Sequence, residues 1–395
     1  MTRHRPLLAA LLCLGALVAP SAPAVADTGA EEPLVVVRAA TPEDGAARAA
    51  ALRDSLSLRE RAATVVMGHI PTTDATAVSA YVASTGVGGF ILMGSNIPAT
   101  EAELQSLTAA MTVDPALPPL LAIDQEGGDV TRLPWDDFAS AIVLKDRPVD
   151  EARDAFAGRA ALVQRAGVAV NFGIVADVTS DPGMFIHRRA LGTTPAAGAE
   201  RVAAAVEGEH GTVLSTLKHF PGHGAAPGDS HAGIPSTDMP ADLWRATAGE
   251  PFAAGIDTGA ELLMFGHLAY TAVDAAPATL SPEWHRIARE DLGFDGVIVT
   301  DDLGMLQASG DPAYADPVAN AVAALAAGND MVLAVMFSTA DSATLIIDGI
   351  VAAVESGALP ASRLDDAAAR VLELRLQLAA DGRGLLPCTE CAPAE

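Results

Sequence analysis

The sequence predicts a single α/β catalytic domain of the (β/α)8 TIM-type barrel class, and three observations carry the prediction. Short β-branched or apolar runs recur eight times, each followed by a polar or glycine signal and then an alanine-rich helical stretch. Alternation of this kind implies parallel strands joined by right-handed crossovers, and eight such units over about 330 residues fit a closed barrel. Polar residues also stand at the C-terminal ends of five consecutive runs. A doubly wound open sheet is the alternative. No Gly-x-Gly-x-x-Gly opens a helix after an early strand, which weakens a dinucleotide-binding version of it.

In chain order, residues 1–26 read as a secretory signal peptide. Arg3 and Arg5 form a basic start, an apolar run follows from Leu7 to Val18, and Ala24-Val25-Ala26 is a small-residue cleavage site before Asp27. The run is short for a bilayer span, and Leu12 ahead of Cys13 is not the small residue a lipidation site wants. Release after Ala26 is therefore expected, to a secreted, extracellular location. A buried N-terminal helix is the competing reading.

Residues 27–53, rich in Ala, Glu, Pro and Asp, read as an arm or leader, and residues 54–386 as the barrel domain. The predicted strands are 64–68, 89–94, 120–124, 168–177, 215–219, 261–267, 296–302 and 330–336. Helix-like segments between them include 73–84, 102–111, 149–166, 196–209 and 317–327, and Pro98, Pro118 and Pro134 punctuate the loops. Residues 387–395 form a tail with Cys388 and Cys391, where a local disulfide or no role is expected in an exported chain; a lone Cys-x-x-Cys lacks the second pair of a zinc site.

Composition narrows the partners. Of 395 residues half are hydrophobic and 19% charged, a globular balance, and the net charge of −26 opposes nucleic acid and anionic membranes. Loss of the signal makes it −28. Only two lysines occur, Lys145 and Lys218.

Asp124, Asp177, the pair Lys218-His219, His267 and the pair Asp301-Asp302 close the third to seventh runs. In a barrel those ends meet at one mouth, where active sites are built. Any single Asp there could instead be a helix N-cap. After Lys218-His219 comes a Gly- and Pro-rich loop carrying His223, Asp229, Ser230 and His231. Asp229 beside His231 suits acid–base chemistry, since a carboxylate fixes the imidazole tautomer. A solvated loop histidine, or a metal site of His219, His223 and His231, are the other readings. A strand-end carboxylate can attack an anomeric carbon, and spacing alone does not choose between Asp301 and Asp302.

With these residues in place, the chain resembles glycoside hydrolase family 3, in its β-N-acetylglucosaminidase (β-N-acetylhexosaminidase) branch and single-domain form. The resemblance runs from about Leu58 to Ala327. It rests on Gly88-Gly89-Phe90-Ile91-Leu92, Ile123-Asp124-Gln125-Glu126-Gly127-Gly128, Arg189-Ala190-Leu191-Gly192, the block from Lys218 to His231, and Thr300-Asp301-Asp302-Leu303-Gly304-Met305. It implies a retaining exo-glycosidase without cofactor or metal, acting on terminal β-linked N-acetylglucosamine of peptidoglycan fragments or chitooligosaccharides. It further implies Asp301 as nucleophile, His231 with Asp229 as acid/base, and Asp124, Arg132, Arg189, Lys218 and His219 as sugar-binding residues. The expected partner is a carbohydrate, with no membrane anchor and a monomeric state.

Two positions depart from the family pattern. Asp129 stands where an arginine is usual, which would disfavour an anionic substrate group if it faces the mouth. Ala190-Leu191 replaces Ser-Phe, which would remove an aromatic wall. A family member of different sugar preference, a non-catalytic cell-wall sugar binder and a metal-dependent hydrolase are the alternative functions.

Overall fold

A computed structural model describes residues 42–386 of the chain. The expected signal segment, its expected cleavage site and the Cys388/Cys391 tail lie outside the described residues. Eight strands, β1 (Val66–Gly68), β2 (Gly89–Leu92), β3 (Leu120–Ile123), β4 (Val170–Val175), β5 (Leu214–Phe220), β6 (Leu262–Phe265), β7 (Val297–Asp302) and β8 (Met331–Leu333), form a closed barrel. Every neighbouring pair is parallel, and β1 closes on β8 through Val66 opposite Val332 and Met67 opposite Leu333. Each predicted run overlaps one of these strands. The closed parallel sheet removes the open-sheet alternative.

Strands of such a barrel are buried on both faces, so they read as continuous apolar runs rather than alternating ones. Met67, Ile91, Leu120, Val170, Phe172, Leu262, Met264, Val299 and Leu333 fill the interior. The opposite faces pack on the surrounding helices, with Phe90, Ile123 and Val332 on one flank and Ile174, Leu217 and Phe265 on the other. Local signals set the helix starts: Asp74, Thr194 and Asp316 accept backbone N–H groups as N-caps, and Thr100 with Glu103 forms a capping box. The stretch expected to end an arm instead contains a helix, Pro42–Ser55, that packs on the helix Ala361–Asp381, with Ala49 buried.

The two ends of the barrel differ. At the N-terminal end of β8, buried Asp330 takes Arg289, Arg363 at 2.9 Å and Arg370 at 3.2 Å, and also accepts the Ile298 amide. This charge cluster ties helices to the sheet at the end where conservation of structure, rather than chemistry, is the usual role. At the end of the helix Pro195–Glu209, Glu209 is fully buried with Oε1 accepting from Asn171 Nδ2 at 2.6 Å. Burial pushes its carboxyl up to about 8, against the hydrogen bond from Asn171.

An acid whose folded pKa is raised keeps its proton more tightly than the unfolded chain does. Its stabilising contribution is complete below the ordinary carboxylate pKa and fades as pH rises toward 8. Glu209→Gln, which keeps both polar atoms and cannot ionise, is expected to lose less thermal stability than the parent between pH 5 and pH 8.5. Parallel melting curves that fall equally for both proteins would contradict this.

Candidate active site

At the C-terminal end of the barrel the strand ends open into a pocket of about 400 Å³, the scale of a small-ligand site. Asp124, Arg132, Arg189, Lys218, His219, His231 and Asp301 all line it. Of the eight candidate residues only Asp229 does not, and it contacts His231 instead.

Lys218 comes from the interior of β5, where an apolar strand delivers an ammonium into the barrel. Its Nζ lies 2.8 Å from Asp124 Oδ1 and 2.7 Å from Glu126 Oε1. Arg189 grips Glu126 through two N–H groups at 2.9 and 2.7 Å, while Arg132 donates to Asp124 at 3.2 Å. Burial would push the Glu126 carboxyl up, but Lys218 and Arg189 outweigh it and bring the pKa down to about 2. These buried charges are tolerated because each has a hydrogen-bonded opposite.

The loop carrying Asp124 and Glu126 is braced from behind. Gln125 Oε1 accepts the Arg132 and Leu133 amides, its Nε2 donates to Asp136, and fully buried Arg159 donates to the same carboxylate at 2.7 Å. Gly127 has φ of +82°, and a Cβ there would lie 2.1 Å from Arg159 Nη2, so the turn has room only for glycine. That turn sends Glu126 inward and Asp129 to the rim, where Asp129 lines the pocket.

His219 is held in one tautomer by its surroundings. Its Nε2 faces Arg189 Nη2 at 3.3 Å, and a guanidinium only donates, so Nε2 accepts and Nδ1–H donates to Asp177 at 2.7 Å. Asp177 also accepts the backbone N–H groups of His219 and His223. Its own burial favours the neutral acid, yet His219 and His223 win and hold its pKa below the usual range. Asp177 and His267, expected at the mouth, are thus supports: His267 is buried, with Nε2 donating to the Asp302 carbonyl at 2.9 Å.

The loop after β5 is more open. His231 Nδ1 lies 2.8 Å from Asp229 Oδ1, both side chains are about half exposed, and Phe185 meets the His231 ring edge-on at 5.6 Å. With Nδ1 engaged, Nε2 is the free nitrogen. His223 Nε2 contacts Ser230. Each of the three histidines therefore has its own partner, and among the described residues no group of three or more His, Cys, Asp or Glu side chains is placed to hold a metal ion.

The two adjacent acids of β7 separate cleanly. Both oxygens of Asp302 are occupied: Oδ1 accepts the Gly304 and Val335 amides at 3.0 and 2.9 Å, and Oδ2 the Met336 amide at 2.7 Å. Burial still pushes its carboxyl up to about 6, with those amides resisting. Asp301 lines the pocket beside Asp302, and its Oδ1 accepts the Asp302 amide at 2.8 Å. Burial again acts upward, but His219 and His267 outweigh it, leaving Asp301 below the usual range and ionised at neutral pH.

Sequence reasoning passed over Glu126 as a binding-network residue, although the carboxylate two places after Asp124 was a signal. It also read Ala190-Leu191 as removing an aromatic wall, without seeing where an aromatic would come from. Leu191 is buried in the helix-side core, and Phe185, four residues before Arg189, supplies the aromatic face.

Comparison with known proteins agrees with this geometry. A family model described as the glycosyl hydrolase family 3 N terminal domain matches residues 57–374. A β-hexosaminidase of Idiomarina loihiensis is 35% identical over 260 residues, 64% of this chain and 77% of the relative. A β-hexosaminidase of Pseudomonas aeruginosa is 36% identical over 252 residues, covering 62% and 74%. Among solved structures, a family 3 β-N-acetylglucosaminidase from Paenibacillus sp. superposes with a TM-score of 0.77 at 29% identity, over 86% of this chain and 64% of that one. A β-N-acetylhexosaminidase from Beutenbergia cavernae gives a TM-score of 0.70 at 28% identity, over 83% and 99%. The chain belongs to glycosyl hydrolase family 3 and is a β-hexosaminidase-like glycosidase within it.

The division between the adjacent acids is measurable by stability alone. Asp302→Asn puts an NH2 group against backbone donors and is expected to cost about 2–4 kcal/mol, a drop of several degrees in Tm. Asp301→Asn keeps the oxygen that accepts the Asp302 amide and breaks no described salt bridge, and is expected to leave Tm within about 2 °C of the parent. Equal losses for the two variants would refute the division.

Proposed function

We propose that the chain is a secreted, retaining exo-glycosidase that removes terminal non-reducing β-linked N-acetylglucosamine. The observation that carries this reading is one pocket lined both by an ionised carboxylate, Asp301, and by a carboxylate-oriented imidazole with Nε2 free, His231. The names of the Paenibacillus and Beutenbergia enzymes support the choice of sugar.

In the first step Asp301 attacks C1, forming a glycosyl ester as the C1–O bond to the leaving group breaks, and His231 Nε2 gives its proton to that oxygen. Asp229, held below the usual carboxylate range against its partial burial by the His231 amide and ring, is ionised and steadies the imidazolium. In the second step neutral His231 takes a proton from water, whose oxygen attacks C1 and releases Asp301. Asp124, Lys218, Arg132, Arg189 and His219 present acceptors and donors at fixed positions to the hydroxyls and the N-acetyl group of the sugar. Among the described residues no helix is long and apolar enough to cross a membrane. Export follows from the basic–apolar–small-residue order of residues 1–26.

Asp301→Ala is expected to lower kcat on p-nitrophenyl N-acetyl-β-glucosaminide by at least about 10³-fold, and a rate close to the parent's would refute the nucleophile assignment. His231→Ala is expected to slow chitobiose, with its poor leaving group, by at least about tenfold more than the nitrophenyl substrate. Losses of equal size on both would argue against proton donation by His231. Export is checked by N-terminal sequencing of the extracellular protein, which is expected to begin at Asp27.

A further inference from the structure

Below the pocket the barrel interior is filled by Met67, Leu120, Phe172 and their neighbours, so a bound sugar has one way out. The leaving group must extend through the mouth and pass its rim. On that rim Asp129 lines the pocket and accepts two hydrogen bonds from Arg188, from Nε at 2.7 Å and Nη2 at 3.1 Å. Both side chains are about half exposed, and Arg188 itself is outside the pocket lining. The rim therefore presents a closed ion pair with its carboxylate toward the ligand.

The other lining cations are engaged in the same way. Lys218 is shared by Asp124 and Glu126, Arg189 is clamped on Glu126, and Arg132 donates to Asp124. Against them stands Asp301, which no described Lys or Arg pairs. A carboxylate on the leaving group would shed water on entering, find no unpaired Lys or Arg among the described lining residues, and approach Asp129. A leaving group with only hydroxyl and amide functions meets none of these costs.

We propose that the Asp129–Arg188 pair filters the leaving group by charge, so that the substrates are uncharged N-acetylglucosaminides of the chitooligosaccharide kind rather than glycans whose next sugar bears a carboxylate. The filter rests on the glycosidase reading above and narrows it to a substrate class. Asp129→Asn frees Arg188 to meet an anion, whereas Arg188→Ala leaves Asp129 unpaired and repelling. The two variants therefore shift selectivity in opposite directions.

The test compares kcat/KM for the N-acetyl-β-glucosaminides of 7-hydroxycoumarin-4-acetic acid and of its amide, which share a phenolic leaving oxygen and differ in one remote charge. The parent enzyme is expected to favour the amide by about tenfold at low salt, with the preference shrinking in about 0.5 M NaCl. Asp129→Asn is expected to bring the ratio toward one, and Arg188→Ala to widen it. A parent ratio near one, or a ratio identical in all three proteins, would overturn the filter while leaving the glycosidase reading intact. Hydrolysis of neither glycoside by the parent would overturn the glycosidase reading, and the filter with it.

Discussion

One buried ammonium holds the site together. Lys218, with a side chain 3% exposed, sits between Asp124 and Glu126 and so joins β5 to the loop after β3. Desolvating a lysine costs several kcal/mol, and two carboxylates at hydrogen-bond distance offset that cost only in this arrangement. Burial acts to lower the Lys218 pKa, yet Asp124 and Glu126 outweigh it and the net direction is upward. Glu126 then fixes Arg189, and Arg189 fixes the tautomer of His219 by denying its Nε2 a proton. A ligand-facing hydrogen-bond pattern thus descends from one charge placement inside a strand.

The same logic separates structural from reactive acids. Asp177, Asp302 and Asp136 have their oxygens taken up by backbone N–H groups, an imidazole, a glutamine or a buried guanidinium. Such carboxylates have little capacity left for a ligand and define where loops stand. Asp301 keeps its exposed face toward the pocket because its neighbour Asp302 ties the loop after β8 to β7 and leaves that side open. Both acids border the pocket, and the backbone amides that occupy the two Asp302 oxygens leave Asp301 as the one available to a ligand.

The barrel was legible in sequence because both-face burial leaves continuous apolar runs, and all eight of them became strands. The helix Pro42–Ser55 was not, because its alanine-rich sequence has little apolar periodicity and its order comes from packing on Ala361–Asp381. The membership of the pocket was legible for a related reason: strand ends of a closed parallel sheet must converge. Which strand-end group faces the ligand was not legible. His267 and Asp177 differ from His219 and Asp301 only in what surrounds them in space, and Glu126 takes its role from Lys218 and Arg189, each more than sixty positions away. Leu191 and Phe185 make the same point for apolar residues, since the aromatic face arrived from a different turn of the loop.

The charge imbalance also takes on a structural meaning. With 24 basic and 50 acidic residues, this chain has few cations to place inside, and those at the pocket are shared among carboxylates rather than left for a ligand. A site built to grip an anion needs the reverse arrangement, with guanidinium or ammonium groups in excess over buried acids. A neutral sugar needs many hydrogen-bonding atoms at fixed positions, and charged pairs supply these because each partner immobilises the other. Paired charges therefore suit a polar, uncharged ligand even though most of the polar groups lining the pocket are ionic. Lys218 marks the site because it organises the acids around it, a role distinct from attracting a negatively charged substrate.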